Sequence, residues 1–225
     1  FNIQFDVVGP YTLSQEMAYY GAKTTDDNDI RPGALVSEAV QMAHADGVDF
    51  SKYDWHGNGA VDQVFVIFAG YSEASGGTSD NIWPHKWDLY SAYALGRGGN
   101  GPIKYDGKTI NLYACSSELN GSSGTRIAGI GTAAHEFTHC LGLPDVYDTS
   151  HSGGQGMGSW DLMHSGNYNS SSCIPAPYTA FERWLCGWMT PTELKDPCYI
   201  ESMEPVVATP LAYIVRNQGH TDEYY

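Results

Sequence analysis

His135, Glu136 and His139 form an H-E-x-x-H pattern inside Gly131-Thr132-Ala133-Ala134-His135-Glu136-Phe137-Thr138-His139-Cys140-Leu141-Gly142-Leu143-Pro144-Asp145. On a helix, residues four apart lie one above the other, so the two imidazoles point the same way. Their nitrogens can then hold one zinc ion at about 2.0–2.1 Å. Glu136 is turned roughly 100° round the helix from His135. From there its carboxylate reaches water beside the ion and can take its proton. The chemistry implied is metal-assisted hydrolysis with Glu136 as general base.

The residues after His139 say how a third ligand arrives. Gly142 suits the left-handed end of a helix, and Pro144 prevents the helix from resuming. A chain that bends there brings Asp145 to the metal, and His, His and Asp leave a fourth position for water. The helix is expected over Arg126 to Leu143, with Ile127, Ile130 and Ala134 toward the core. Cys140 points in a different direction from the histidines and reads as a small buried residue.

The extended pattern H-E-x-x-H-x-x-G-x-x-D resembles that of metzincin-like zinc peptidases, whose usual third ligand is His; Asp145 departs from that. Taken with Leu143-Pro144-Asp145-Val146-Tyr147-Asp148-Thr149 and Trp160-Asp161-Leu162-Met163, the chain is similar to the immune-inhibitor-A family of secreted bacterial metallopeptidases, peptidase family M6. Phe5-Asp6-Val7-Val8-Gly9-Pro10, Tyr19-Tyr20-Gly21, Val61-Asp62-Gln63-Val64-Phe65, Ala69-Gly70-Tyr71 and Ile82-Trp83-Pro84-His85 carry the likeness over most of the chain.

The resemblance implies an α/β (α+β) metzincin-like peptidase domain with a twisted mixed sheet. Residues 1–142 would form an upper subdomain with the active-site helix, and 143–225 a lower one. It implies a buried methionine in a tight turn under the zinc, at Met163. It implies an edge strand that binds extended substrate, for which Lys108 to Cys115 is the expected segment. Protein or peptide would be the substrate, and the enzyme would be secreted or surface-bound. Tyr168 or His164 can donate to the oxyanion. Glu182, on an expected helix from Tyr178 to Met189, is the main competitor for third ligand, since another zinc peptidase class uses such a glutamate; His151 is a further rival. A non-catalytic metal-binding or adhesion module, or a zinc hydrolase of a non-peptide substrate, stays open as an alternative.

A second pattern points to a hard cation. Asp54, Asn58, Ala60 through its carbonyl, and Asp62 stand at positions 1, 5, 7 and 9 of a calcium loop, with Gly59 at position 6. His56 occupies position 3, and position 12 is Phe65 where Glu is expected. The loop is either a degenerate calcium site or a plain Asn-Gly turn.

Elsewhere, Val61 to Tyr71 reads as a strand buried on both faces. Pro32-Gly33 opens a helix with Ala34, Leu35, Val36, Ala39, Val40, Met42 and Ala43 recurring at helical spacing on one face. Residues 1–20 suggest a strand and a turn. Trp83 to Trp87 reads as aromatic core packing around His85.

At 225 residues the chain fits one large domain. Its formal charge of −15 disfavours nucleic acid and anionic membranes and favours cations. No apolar run is long enough to span a membrane. No signal peptide is visible, and both ends read as cut from a longer protein. Of Cys115, Cys140, Cys173, Cys186 and Cys198, the last three can supply one disulfide, and no C-x-x-C pair suggests a structural zinc site.

Overall fold

The computed structural model describes residues 5–150, 152–217 and 219–224. The first helices are α1 (Met17–Gly21) and α2 (Pro32–Ala45), the latter with proline in its first turn. Of the expected face, Leu35, Val36, Val40 and Ala43 of α2 are buried, and Ala34, Ala39 and Met42 are partly buried. They pack with Tyr20, Phe50, Val61, Phe68, Ile82 and Tyr113 into the main core. Among the described residues the expected strand near the start is not formed: residues 5–13 carry no regular element, and residues 1–4 of that expectation lie outside the described residues.

Next come β1 (Val64–Tyr71), β2 (His85–Asp88) and the short helix α3 (Leu89–Ala94). A hairpin follows, β3 (Ile103–Tyr105) with β4 (Lys108–Ile110), and then β5 (Leu112–Leu119). The sheet that carries the site has the order β1-β5-β2, with β1 parallel and β2 antiparallel to β5. This corrects two expectations. The Lys108–Cys115 stretch is divided between a hairpin and the central strand, so it is not the substrate-facing edge. Both backbone edges of β5 are taken by neighbours, and residues 113 to 117 are all buried. The edge beside the site is β2.

The second correction concerns β1. Its apolar run is not covered on both faces, and Ile67 is 67% exposed. Among the described residues β1 pairs only with β5, and a trough of about 560 Å³ separates it from α2 and the stretch after Phe5.

α4 (Ile130–Cys140) packs on β5 and β2. It is shorter than expected at both ends. Ile127 bridges to Leu119 in extended conformation, and Ile127 and Ile130 face solvent at 70% and 66% exposure. The last helix, α5 (Ala180–Leu185), is also shorter and opens with a capping box between Thr179 and Glu182. Phe181 and Leu185 on it stay about half exposed. Small pairings close the chain: β6 (Thr192–Glu193) with β7 (Tyr213–Ile214), and β8 (Arg216–Asn217) with β9 (His220–Tyr224). All five cysteines are separate thiols, so the expected disulfide is not formed. Among the described residues no helix is long and apolar enough to cross a membrane.

Candidate metal centre

α4 sets the two imidazoles one turn apart, with ring centroids 4.8 Å apart. The helix ends at Gly142, whose φ of +94° is open to glycine and strained for other residues. The chain then turns back, and Asp145 Oδ1 comes to rest 3.2 Å from His135 Nε2 and 3.3 Å from His139 Nε2. Among the described residues these three side chains form the one group of His, Cys, Asp or Glu able to hold a metal ion.

The tautomers are fixed from behind. His135 Nδ1–H donates to the Leu162 carbonyl and His139 Nδ1–H to the Leu143 carbonyl, both at 2.8 Å. A carbonyl only accepts, so each Nδ1 carries a proton and each Nε2 turns its lone pair inward. Asp145 Oδ1 is buried and has no hydrogen-bond partner. Three lone pairs aimed at one point repel unless a cation sits among them, and N, N, O with an open fourth position is the donor set of a catalytic zinc site. The residues fit that ion. Burial opposes charge on both imidazoles, yet Asp145 raises their pKa values above the ordinary histidine value. Burial likewise resists ionisation of Asp145, and the imidazoles overcome it, holding the carboxyl far below the usual range.

Glu136 stands beside this group, 7% exposed. Burial pushes its carboxyl up to about 7, against the pull of both imidazoles and of the Lys86 backbone N–H on β2. A carboxylate so tuned accepts a proton near neutral pH. Cys140 points away: its thiol donates to the Glu136 carbonyl at 3.6 Å, and burial lifts its pKa to about 11.

Residues 1–189 match the family described as Immune inhibitor A peptidase M6, catalytic domain. The chain belongs to peptidase family M6. It is 29% identical over 204 residues to the Pre-pro-metalloprotease PrtV of Vibrio cholerae serotype O1 (strain M66-2), covering 82% of this chain and 21% of that protein. It is 29% identical over 178 residues to Immune inhibitor A of Bacillus thuringiensis subsp. alesti, covering 70% of this chain and 25% of that protein. The chain thus spans about a quarter or less of the length of these curated relatives.

The other expected residues of this M6 domain fall as follows. Met163 is fully buried in a turn with Leu162 and Leu143, and its N–H donates to Asp161 at 2.7 Å. Val146 N–H donates to the Met163 carbonyl at 3.0 Å, which ties the segment after Asp145 to that turn. Tyr168 is half-exposed on the loop beyond it. Glu182 is not with the histidines. One of its oxygens accepts from the Thr179 backbone at 2.6 Å and hydroxyl at 2.9 Å, and its neighbour is Asp161. His151 lies outside the described residues. His164 is bonded to Ser165 and stacks edge-on with Tyr147.

Two contributors were missed by sequence reasoning. Tyr147 sits two positions after Asp145; burial and the nearby Asp145 charge push its phenol up to about 12. The two-residue spacing along an extended turn was a usable signal for it. The other is the Lys86 backbone N–H, which no side-chain pattern could mark.

The loop 167–172 is pressed against the start of α4. Gly131 N–H donates to the Ser172 carbonyl at 2.8 Å. A Cβ on Gly129 would lie 2.2 Å from the Ser172 carbonyl carbon, and one on Gly131 would lie 1.9 Å from the Asn167 oxygen.

At the proposed cation loop, Asp54 accepts from the Asn58 and Gly59 N–H groups and from the Lys108 ammonium, the last at 2.6 Å. Asn58 Oδ1 accepts from Ala60 N–H, and Asp62 accepts from Trp55 N–H and pairs with His56. These oxygens already have donors, which favours the Asn-Gly turn. His85 is packed, bonded to the Trp83 carbonyl and the Tyr113 hydroxyl, but the expected aromatic core around it is only partial, since Trp83 is 47% exposed. Cys115 lies 3.5 Å from it, but burial drives that thiol far up, so the pair is core and not a nucleophile.

Proposed function

We propose that this M6 domain is a zinc endopeptidase that belongs to an exported protein. The observation that carries the reading is the buried, unpartnered Asp145 Oδ1 facing two Nε2 lone pairs, with Glu136 beside it. His135, His139 and Asp145 would hold the ion. Zinc there supplies Lewis acidity, drawing charge from the scissile carbonyl and making nearby water easier to deprotonate.

The chain's own groups do the rest. Glu136 takes the proton of the attacking water and passes it to the leaving amine. The outer edge of β2 is unpaired among the described residues and offers backbone partners to an extended peptide. Tyr168, on the loop past Met163, is the donor to the developing oxyanion. Met163 gives the centre a dry floor. The names of the two relatives, a metalloprotease and an immune inhibitor, support a protein substrate.

The test is hydrolysis of casein by the zinc-loaded chain, blocked by a chelator and restored by zinc. Glu136→Gln should keep zinc and lose about 100- to 10,000-fold in rate. Cleavage by that variant at the wild-type rate would remove Glu136 as base. Full zinc occupancy without cleavage by the wild type would favour the non-catalytic alternative.

A further inference from the structure

Asparagine followed by glycine is prone to lose its amide, because no Cβ shields the next backbone nitrogen from the asparagine side chain. The chain has three such pairs: Asn58-Gly59, Asn100-Gly101 and Asn120-Gly121. In each, the glycine nitrogen can give up its proton and attack Cγ of the asparagine. A C–N bond forms, the bond to Nδ2 breaks, and ammonia leaves. Water then opens the cyclic imide at either carbonyl, giving aspartate or isoaspartate. The sum is water in and ammonia out, with nothing oxidised or reduced.

The three sites differ in what must let go first. At Asn58 the attacking nitrogen is engaged, since Gly59 N–H donates to Asp54 at 3.0 Å. The amide is held as well, because Asn58 Oδ1 accepts from Ala60 N–H at 2.9 Å. At Asn120 only the amide is held, by a long bond from Nδ2–H to the Ser171 carbonyl at 3.3 Å. Gly121 N–H has no partner among the described residues, and a Cβ on Gly121 would meet no atom within 4 Å. Asn100 is exposed, and neither its amide nor Gly101 N–H has a partner among the described residues. Each hydrogen bond that must open first slows ring closure about 5-fold.

Of the three, Asn120 supports the loop that carries Tyr168. Ser170, Ser171 and Ser172 have φ of +51°, +55° and +63°. Residues with a Cβ rarely adopt this conformation in a run, and it persists where the surroundings impose it. Here Gly131 N–H on α4 donates to the Ser172 carbonyl at 2.8 Å, and Asn120 donates to the Ser171 carbonyl beside it. Ser172 N–H in turn donates to the Tyr168 carbonyl at 3.2 Å. Aspartate at position 120 has no donor to offer and sets a negative charge against the Ser171 carbonyl. Isoaspartate also lengthens the backbone, at a residue whose N–H donates to the Arg126 carbonyl at 2.9 Å.

We propose that Asn120 is a site of spontaneous deamidation, and that its conversion loosens the 170–172 loop from the start of α4. The reaction needs no peptidase activity, and neither does its effect on the loop.

The test holds the wild-type protein in warm, mildly alkaline buffer, samples it over days, digests the samples in acid, and follows by mass spectrometry the mass gain that marks each lost amide. Asn100 should convert first, Asn120 about 5-fold more slowly and Asn58 about 25-fold more slowly. In urea the three rates should converge. Hydrogen exchange then compares the wild type with Asn120→Asp, in which the amides of Gly131 and Ser172 should exchange about 5-fold faster. An Asn120 that keeps its amide while Asn58 loses its own would overturn the site. The same order and spread in urea would overturn the argument that the fold sets it. Folded Asn120→Asp protein with wild-type exchange at Gly131 and Ser172 would overturn the consequence for the loop.

Discussion

Gly131→Ala separates two physical arguments by sign. By helix propensity alone, alanine is better than glycine by about 1 kcal/mol inside a helix, so the change should stabilise α4. The structure argues the reverse. The new Cβ would lie 1.9 Å from the Asn167 oxygen, where real Cβ atoms come no closer than 3.0 Å. The obstacle is backbone, so the loop must withdraw by about 1 Å. That movement strains the Gly131 N–H bond to Ser172, which is 2.8 Å long.

Overpacking costs about 1–3 kcal/mol, and a buried backbone bond left unmade costs about 1–3 kcal/mol more. Less the propensity gain, Gly131→Ala should destabilise by about 1–5 kcal/mol. For a domain of this size each kcal/mol lowers Tm by about 2–4 °C. Thermal unfolding of the zinc-loaded protein, followed by circular dichroism, measures it. Because Tyr168 rides on the displaced loop, kcat/KM should fall while zinc content holds, since no ligand belongs to that loop. A variant as stable as the wild type, or more so, refutes the account of how the loop is held.

Asp145→Ala removes the one carboxylate among the described residues that faces both imidazoles, so zinc content after dialysis should fall sharply; full occupancy by metal analysis would hand the third place to another residue. Burial raises the Glu182 carboxyl above its unfolded value near 4.3, so its stability contribution is complete below that pH and is lost as pH rises through the folded value. Glu182→Gln keeps an acceptor for Thr179 and carries no proton to lose, so the fall of Tm along that limb should flatten; an unchanged Tm–pH curve would count against a buried proton next to Asp161. Lys108→Ala removes the ammonium that pairs with Asp54 at 2.6 Å and should lower Tm; an unchanged Tm would show that the pair adds nothing to stability. Calcium should leave the wild-type Tm where it is, and a calcium-dependent rise would return the 54–62 loop to cation binding.

The grouping of His135, His139 and Asp145 was legible because its geometry is local. Four residues of helix fix the relation of His135 to His139, and Gly142 with Pro144 fixes the bend that returns Asp145. What depends on distant pairing was not legible. Lys108 to Cys115 alternates like an edge strand, yet the pairing of 85–88 with 112–115 puts it in the middle. The calcium pattern in 54–62 says nothing of Lys108, which lies 54 positions from Asp54 in the sequence. Ile127 and Ile130 read as core by periodicity, but the helix period starts only at residue 130, after Gly129 meets the Ser172 loop. Backbone groups leave no signature at all, so the carbonyls of Leu143 and Leu162 and the N–H of Lys86 could not be foreseen.

Those backbone groups close a circuit. His139 is held by the Leu143 carbonyl, two residues before Asp145. Val146, one residue after it, donates to Met163, and Leu162 next to Met163 holds His135. From His135 the path returns along α4 to His139. Asp145 is thus carried by a segment pinned at both ends to groups that also orient the two imidazoles. A shift of the Met163 turn therefore cannot move one of the three side chains by itself: it turns the His135 ring through Leu162 and draws on Asp145 through Val146 together. The position of the buried methionine then matters less for what its sulfur touches than for keeping that turn fixed. Between Val146 and Met163, Ser150, Ser152, Gly153 and Gly154 stay on the surface, while Asn169 Nδ2–H donating to the Ser159 carbonyl at 2.9 Å ties the far part of the segment to the residues past Met163, so the exposed stretch does not loosen the centre.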